Sequence, residues 1–127
     1  MIRLTKDTVL SLHRLLCERT GGDAGVRDEA LLASALETAF AGFGDTEFYP
    51  TTEEKAARLG YGLVANHAFV DGNKRIGVLV MLVFLEINGV PLHCTDGELV
   101  RVGLSLADGS LSYAALLDWV LAHKGRG

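Results

Sequence analysis

The sequence contains little cysteine and proline: of its 127 residues, two are cysteine and two are proline. Cys17 and Cys94 lie far apart and form no C-x-x-C pair, so we expect reduced thiols, as in a cytoplasmic protein. The apolar run over residues 76 to 85 is about half of the ~20 residues that a membrane span requires. The N-terminal stretch is interrupted by charges and does not resemble a signal peptide. No membrane segment is expected.

The sequence also lacks an excess of positive charge and a spacing typical of metal sites. Its net charge of −4 and pI near 5.5 argue against a broad nucleic-acid-binding face, so any cationic chemistry must be local. His13, His93 and His123 show no ligand spacing with one another or with the cysteines, so zinc is not expected and we assign them no chemistry. Hydrophobic residues make up 49% and charged residues 22%, which indicates one compact domain over residues 1–127.

Helix signals recur along most of the chain. In the first predicted helix, from Thr5 to about Arg19, the apolar stripe is Val9, Leu12, Leu15 and Leu16. The candidate N-caps of the later helices are Asp28, Thr51, Thr95 and Ser110, with Glu54 and Glu98 completing two capping boxes. The fold class that follows is all-α, a compact bundle of about six helices.

One segment, "GFGDTEFYP" at residues 42 to 50, departs from the helical pattern. Two glycines and a proline predict a loop or short hairpin there. Phe43, Phe48 and Tyr49 lie in it, and these aromatic side chains need a partner.

Most of the candidate chemistry lies in "HAFVDGNKR", residues 67 to 75, directly before the apolar run. Asp71-Gly72-Asn73 is a turn sequence, and Lys74-Arg75 lies where the apolar helix must begin. Free backbone N–H groups and the positive end of the helix dipole then form a site for a phosphate, to which Lys74 and Arg75 add charge. Asp71 is suited to hold magnesium, and His67 to take a proton from a hydroxyl. Together these residues indicate phosphoryl or nucleotidyl transfer.

Each of these residues also has a purely structural interpretation. Asp-Gly-Asn alone is most often a turn, and a lone histidine near a helix end is more often a hydrogen-bonded structural residue. Phe69 is best explained as an apolar anchor of the loop. Cations at a helix start oppose the dipole, however, and that cost requires an explanation. The order of the residues favours a functional site.

"HAFVDGNKR" resembles the H-x-F-x-[D/E]-G-N-[G/K]-R signature of the Fic/Doc superfamily. The segments "VRDEALLASAL", "FYPTTEEKAARLGYGLVANHAF" and "FLEINGV" are similar to its Doc branch. The resemblance implies that His67 is the general base and Asp71 the magnesium ligand. It assigns Gly72, Asn73, Lys74 and Arg75 to nucleotide binding, with Lys74 and Arg75 also taking part in catalysis. The family's target-positioning flap falls on residues 42 to 50, with Phe43, Phe48 and Tyr49.

Two positions separate the branches of this superfamily. Members that transfer AMP usually carry glycine where Lys74 stands, and a second arginine where Val78 stands. The resemblance to Doc therefore implies a toxin that uses ATP and magnesium to phosphorylate a threonine of translation elongation factor Tu. The chain also lacks the [S/T]-x-x-x-E-[G/N] string of self-inhibiting members, which implies restraint by a cognate antitoxin. AMP transfer and a non-catalytic binding function remain the alternatives.

Overall fold

A computed structural model describes residues 1–125 of the chain. Those residues form six helices and one hairpin, which confirms the all-α fold with a short hairpin. The helices are α1 (Lys6–Thr20), α2 (Glu29–Thr38), α3 (Thr52–Asn66), α4 (Asn73–Ile87), α5 (Asp96–Ala107) and α6 (Tyr113–His123). The hairpin pairs β1 (Gly42–Phe43) with β2 (Thr46–Glu47) in antiparallel register, Gly42 opposite Glu47 and Phe43 opposite Thr46. Within residues 1–125, no helix has both the length and the apolarity needed to cross a bilayer.

Three of the four predicted N-caps are confirmed. Asp28 accepts from the N–H of Leu31, and Thr51 and Thr95 each form a complete capping box. The prediction for Ser110 is wrong, because Ser112 caps α6 and accepts from Ala115 N at 3.1 Å. The N–H of Ser110 instead donates to the Asp108 carboxylate at 2.8 Å. That bond keeps residue 110 in the turn after α5, so α6 begins later than predicted.

The inner face of α1 confirms the predicted stripe in part. Val9, His13 and Cys17, spaced four residues apart, are buried, whereas Leu15 is 46% exposed. The most buried row of α1 therefore follows i, i+4, i+8 spacing and contains a histidine and a cysteine, while the predicted Leu12 and Leu16 are partly buried and also pack on the core. The prediction counted only aliphatic side chains, so it left out His13 and Cys17 and wrongly included Leu15.

The antiparallel pair α3 and α4 forms the centre of the molecule. α2 and α6 pack on α3, α1 packs on α4, and α5 contacts both central helices. The two central helices approach closely at Gly77, where a Cβ atom would lie 2.6 Å from Cγ2 of Val64 and 3.0 Å from the carbonyl oxygen of Gly60. Any side chain at position 77 would force the helices apart. The loop between them, residues 67 to 72, carries most of the "HAFVDGNKR" motif, and α4 begins with its last three residues.

Candidate active site

The motif begins with a strained residue. His67 is the C-cap of α3, with φ 49° and ψ 48°, and it is the one non-glycine residue with positive φ among those described. Such a conformation costs about 1–2 kcal/mol for an L-residue and persists only where the surroundings enforce it. Arg27 does so: its Nε donates to the carbonyl oxygen of His67 at 2.7 Å, and its Nη2 donates to that of Asn66 at 3.2 Å. These two bonds hold the backbone of residues 66 and 67 in place where α3 ends.

The chain before α2 holds the loop along one edge. The backbone N–H groups of Arg27 and Asp28 donate to the carbonyl oxygen of Ala68 at 2.8 and 3.0 Å. The N–H of Val70 donates to the carbonyl oxygen of Gly25 at 3.0 Å. Phe69 is 1% exposed, which confirms that its ring anchors the loop in the core.

The amide of Asn73 braces the loop from inside. Its Oδ1 accepts from the N–H of Phe69 and its Nδ2 donates to the carbonyl oxygen of Phe69, both at 3.0 Å. The same Nδ2 lies 3.5 Å from Nδ1 of His67, a long contact that orients the ring without fixing which nitrogen carries the proton. The Asn73 side chain is therefore committed to the loop. Only its backbone N–H, at the start of α4, remains for an anion.

A histidine to which the sequence analysis assigned no chemistry lies beneath the motif. His13 of α1 is 1% exposed, and its Nε2 lies 2.7 Å from the carbonyl oxygen of Asp71. Because a carbonyl only accepts, Nε2 carries the proton. The ring also stacks on Phe69, with centroids 3.7 Å apart. Sequence reasoning missed both His13 and Arg27; the four-residue spacing of Val9, His13 and Cys17 was the one available signal for His13.

The turn itself forms an anion-binding geometry. Gly72 has φ 77° and is the N-cap of α4, with no side-chain cap. The first N–H groups of a helix have no acceptor within it, so those of residues 73 to 75 are available to a ligand at the positive end of the dipole. The Asp71 carboxylate accepts from the N–H of Gly72 at 2.8 Å and lies 3.8 Å from Nη2 of Arg75. These contacts hold the carboxylate beside the turn.

An open polar pocket of about 560 Å³ lies over this turn. Its lining consists of His67, Val70, residues 71 to 75, Val64 of α3 and Ala107 of α5. His67, Asp71 and Lys74 are exposed, and Gly72 and Asn73 are buried. The structure thus brings His67 and the predicted nucleotide-binding residues together around one cavity. Its volume is within the range of small-molecule sites.

The carboxylate content of the site fits magnesium. Among residues 1–125, no three His, Cys, Asp or Glu side chains cluster as a metal site. Asp71, half-exposed at 53% of its side chain, is the carboxylate at the pocket. Magnesium bound to nucleotides uses one or two protein carboxylates, with water and phosphate oxygens as the other ligands. Asp71 therefore suits a metal that arrives with a nucleotide.

The flap residues do not line this pocket in the described structure. Phe43 and Phe48 are 83% and 59% exposed. Tyr49 has the partner that the sequence required: its ring meets that of Tyr113 edge-on, with centroids 5.4 Å apart. Burial raises the pKa of Tyr113 to about 12, and the charge of Glu54 adds to the shift.

A second cavity, an apolar groove of about 350 Å³, adjoins the polar pocket. It lies between α1, α4 and α5, and Lys74 and Arg75 line both cavities. Val78 lines the groove and is not among the described residues lining the polar pocket. Two exposed side chains of α5, Val100 and Leu104, form part of the groove wall.

The chain is similar to known proteins. The Fic/DOC family model matches residues 3–85, which is more than half of the chain and includes the whole motif. A protein named Toxin Doc, from Mycolicibacterium smegmatis (strain ATCC 700084 / mc(2)155), is 44% identical over 72 residues. That match covers 57% of this chain and spans about half, 55%, of the relative's length. The chain belongs to the Fic/DOC family.

Proposed function

We propose that this protein is the toxin of a toxin–antitoxin pair and transfers the γ-phosphoryl group of ATP to a hydroxyl of a protein. The observation that carries the proposal is the placement of His67, Asp71, a helix N-terminus and two cations around one pocket. The similarity to Toxin Doc supports the toxin function. The resemblance to the Doc branch supports a threonine of translation elongation factor Tu as the target, in the cytoplasm.

In this mechanism His67 takes the proton of the target hydroxyl as the oxygen attacks the γ-phosphorus. A bond forms between that oxygen and phosphorus, and the bond between the phosphorus and the β–γ bridging oxygen breaks, releasing ADP. Phosphoryl transfer passes through a loose transition state, so positioning and charge stabilisation supply most of the catalysis. The N–H groups at the start of α4, Lys74 and Arg75 stabilise the charge on the transferring group.

Asp71 would hold the magnesium ion, which neutralises phosphate charge when it is bound. The carboxylate is already oriented by the N–H of Gly72 and by Arg75. We expect Asp71→Ala to weaken magnesium-dependent turnover without changing the fold, because the side chain is half-exposed. Titration of activity with magnesium measures this effect. Wild-type turnover that continues unchanged in excess chelator would contradict the role of the metal.

Lys74 and Val78 favour phosphoryl transfer over AMP transfer. Lys74 places a cation at the pocket where AMP-transferring relatives have glycine, which leaves less room for a further phosphate. Val78 faces the apolar groove and offers no guanidinium to the polar pocket. Both features restrict how a triphosphate lies at the turn.

Labelled ATP distinguishes the two reactions. We expect label from the γ-phosphate on elongation factor Tu, and no label from the α-phosphate. Label from the α-phosphate would establish AMP transfer instead. A protein that binds nucleotide and transfers neither label would have the non-catalytic function, which the intact His67 and Asp71 disfavour.

The apolar groove supports the second half of the proposal, restraint by an antitoxin. An apolar antitoxin segment lying there would contact Lys74 and Arg75, which also line the polar pocket. Val100 is 60% exposed on the groove wall, so Val100→Asp should leave folding and toxicity intact. We expect this variant to escape neutralisation when the antitoxin is co-expressed. If the antitoxin still fully neutralises Val100→Asp, it binds the toxin at a surface other than the apolar groove.

A further inference from the structure

The flap hairpin is attached to the fold by a buried lysine. Lys55 of α3 is 2% exposed. Among residues 1–125 it is the one lysine, arginine, aspartate or glutamate that is buried. Its Nζ donates to Oε1 of Glu47 at 3.0 Å and to the carbonyl oxygen of Tyr49. Glu47 lies in β2, and Tyr49 follows it two residues later in the flap. The ring of Phe40 lies 5.4 Å from the same nitrogen and covers it.

Stability alone does not explain this arrangement. Burying an amine costs solvation free energy, and one ion pair repays it poorly; apolar residues of similar volume are often as stabilising. Glu47, the charged partner, is 52% exposed, which weakens the pair further. What Lys55 adds is geometry: one nitrogen fixes two oxygens, two residues apart in the flap, relative to α3.

Other contacts also lie at the base of the flap. Arg58, one turn along α3 from Lys55, lies 5.8 Å from the centre of the Tyr49 ring. The N–H of Phe48 donates to the carbonyl oxygen of Ala41 at 3.0 Å. The tip, in contrast, exposes Phe43 at 83%. The flap therefore has a fixed base and a free aromatic tip.

The helix that holds the flap also carries the proposed catalytic base. Lys55 lies in the first turn of α3, and His67 is the C-cap of the same helix. The two residues are twelve positions apart, which corresponds to about 18 Å along the helix axis at 1.5 Å per residue. A rigid helix keeps that separation constant. A protein segment lying on the flap is then presented to His67 at a set distance.

We propose that Lys55 is a positioning residue. Its bonds to Glu47 and Tyr49, the flap clip, fix the flap to α3, so that the flap binds the protein target in one orientation relative to His67. The inference rests on the proposed function for the identity of the target, and goes beyond it by assigning target affinity to a buried ion pair remote from the nucleotide. It predicts that loss of the clip weakens binding of the target and spares binding of ATP.

The test uses Lys55→Met, which keeps the volume and removes the amine, and Glu47→Lys, which places a second cation at the exposed partner. The matched control is Lys124→Met. Lys124 also pairs with a carboxylate of α3, Glu53, at 3.5 Å, and among the described residues neither side chain bonds to the flap. The measurements are amide hydrogen exchange over residues 42 to 49, and initial rates of transfer to elongation factor Tu with each substrate varied in turn.

For both flap variants we expect hairpin exchange to rise by about tenfold or more, since hydrogen bonds to a charged group are lost. The KM for the target should rise, while the KM for ATP and exchange over residues 67 to 75 stay at wild-type values. Lys124→Met should change none of these. If Lys55→Met does not fold, Glu47→Lys, altered on the surface, carries the test.

Unchanged hairpin exchange in Glu47→Lys would overturn the clip. A rise in exchange with an unchanged target KM would reduce Lys55 to a structural residue. If the wild-type protein transfers no phosphate, the proposed function fails on that result alone. Hairpin exchange, measured without nucleotide or target, still tests the clip.

Discussion

The motif loop, residues 67 to 72, and the flap, residues 42 to 50, are both short segments between helices, yet the fold supports them very differently. The motif loop is held by the chain before α2 along one edge, by Asn73 from inside and by His13 from below. The flap is held at its base by Lys55 and Tyr49, and its tip is exposed. The site's chemistry thus lies on the better supported segment.

Under the proposed function, the difference follows from what each segment does. Transfer of a phosphoryl group depends on sub-ångström positioning of charges, so the anion turn must be preorganised. Binding of a macromolecular target tolerates more adjustment, and exposed aromatic side chains supply contact area. Substitutions in the motif loop should therefore act on the rate of the chemical step or on stability. Those at the flap tip should act on target affinity alone.

The largest expected effect is that of His67→Ala. Loss of a general base costs about 10²–10⁴ in rate. The fold should stay intact, since alanine has the same Cβ at this positive φ and the Arg27 side chain bonds to the backbone carbonyl of residue 67 and not to the imidazole. Single-turnover rates and thermal unfolding check both parts. A folded variant that transfers at the wild-type rate would remove His67 from the mechanism.

Asn73→Ala tests the internal support of the motif loop. It removes both bonds to Phe69 and leaves a buried N–H without an acceptor, which should cost about 2–4 kcal/mol in the free energy of unfolding. Denaturant unfolding gives the value. Asn88→Ala is the matched control, because Asn88 caps the opposite end of α4 and also donates to the carbonyl oxygen of Phe84. Exchange over residues 67 to 72 should rise in the first variant only.

The motif loop also shows how far the sequence alone could predict this protein. Spacing and caps predicted the helices and the hairpin, because those signals are local. The order of residues in "HAFVDGNKR" pointed to a turn at a helix start, which the structure has at Gly72. Arg27 and His13 act on the loop across 40 and 58 residues of chain, respectively. No local pattern encodes such contacts, so the support of the site could not be predicted.

A smaller effect is expected for Lys74→Gly, which keeps the loop and removes one exposed cation. Loss of a charged contact to the transferring group should lower γ-phosphoryl transfer about 10- to 100-fold. AMP transfer should not appear, because residue 78 still lacks a guanidinium. The double variant Lys74→Gly with Val78→Arg is the stricter comparison, because it also supplies the arginine that AMP-transferring relatives carry at position 78. Undiminished transfer in Lys74→Gly would make Lys74 a solvated residue at the helix start and remove the main argument for phosphoryl over AMP transfer.

The smallest expected effect on the fold, and the most specific, is that of Phe43→Ala at the flap tip. An 83% exposed ring contributes little burial, so the free energy of unfolding should change by less than about 0.5 kcal/mol. If the ring contacts the target, the KM for the target should rise several-fold while the KM for ATP stays constant. Leu121→Ala, at an exposed position of α6, is the control for loss of a surface apolar group. Equal target KM values in both variants would mean that the aromatic tip does not bind the target. Lys55 would then hold in place a hairpin without a role in recognition, and the contrast between a rigid chemical loop and a binding flap would lose its functional meaning.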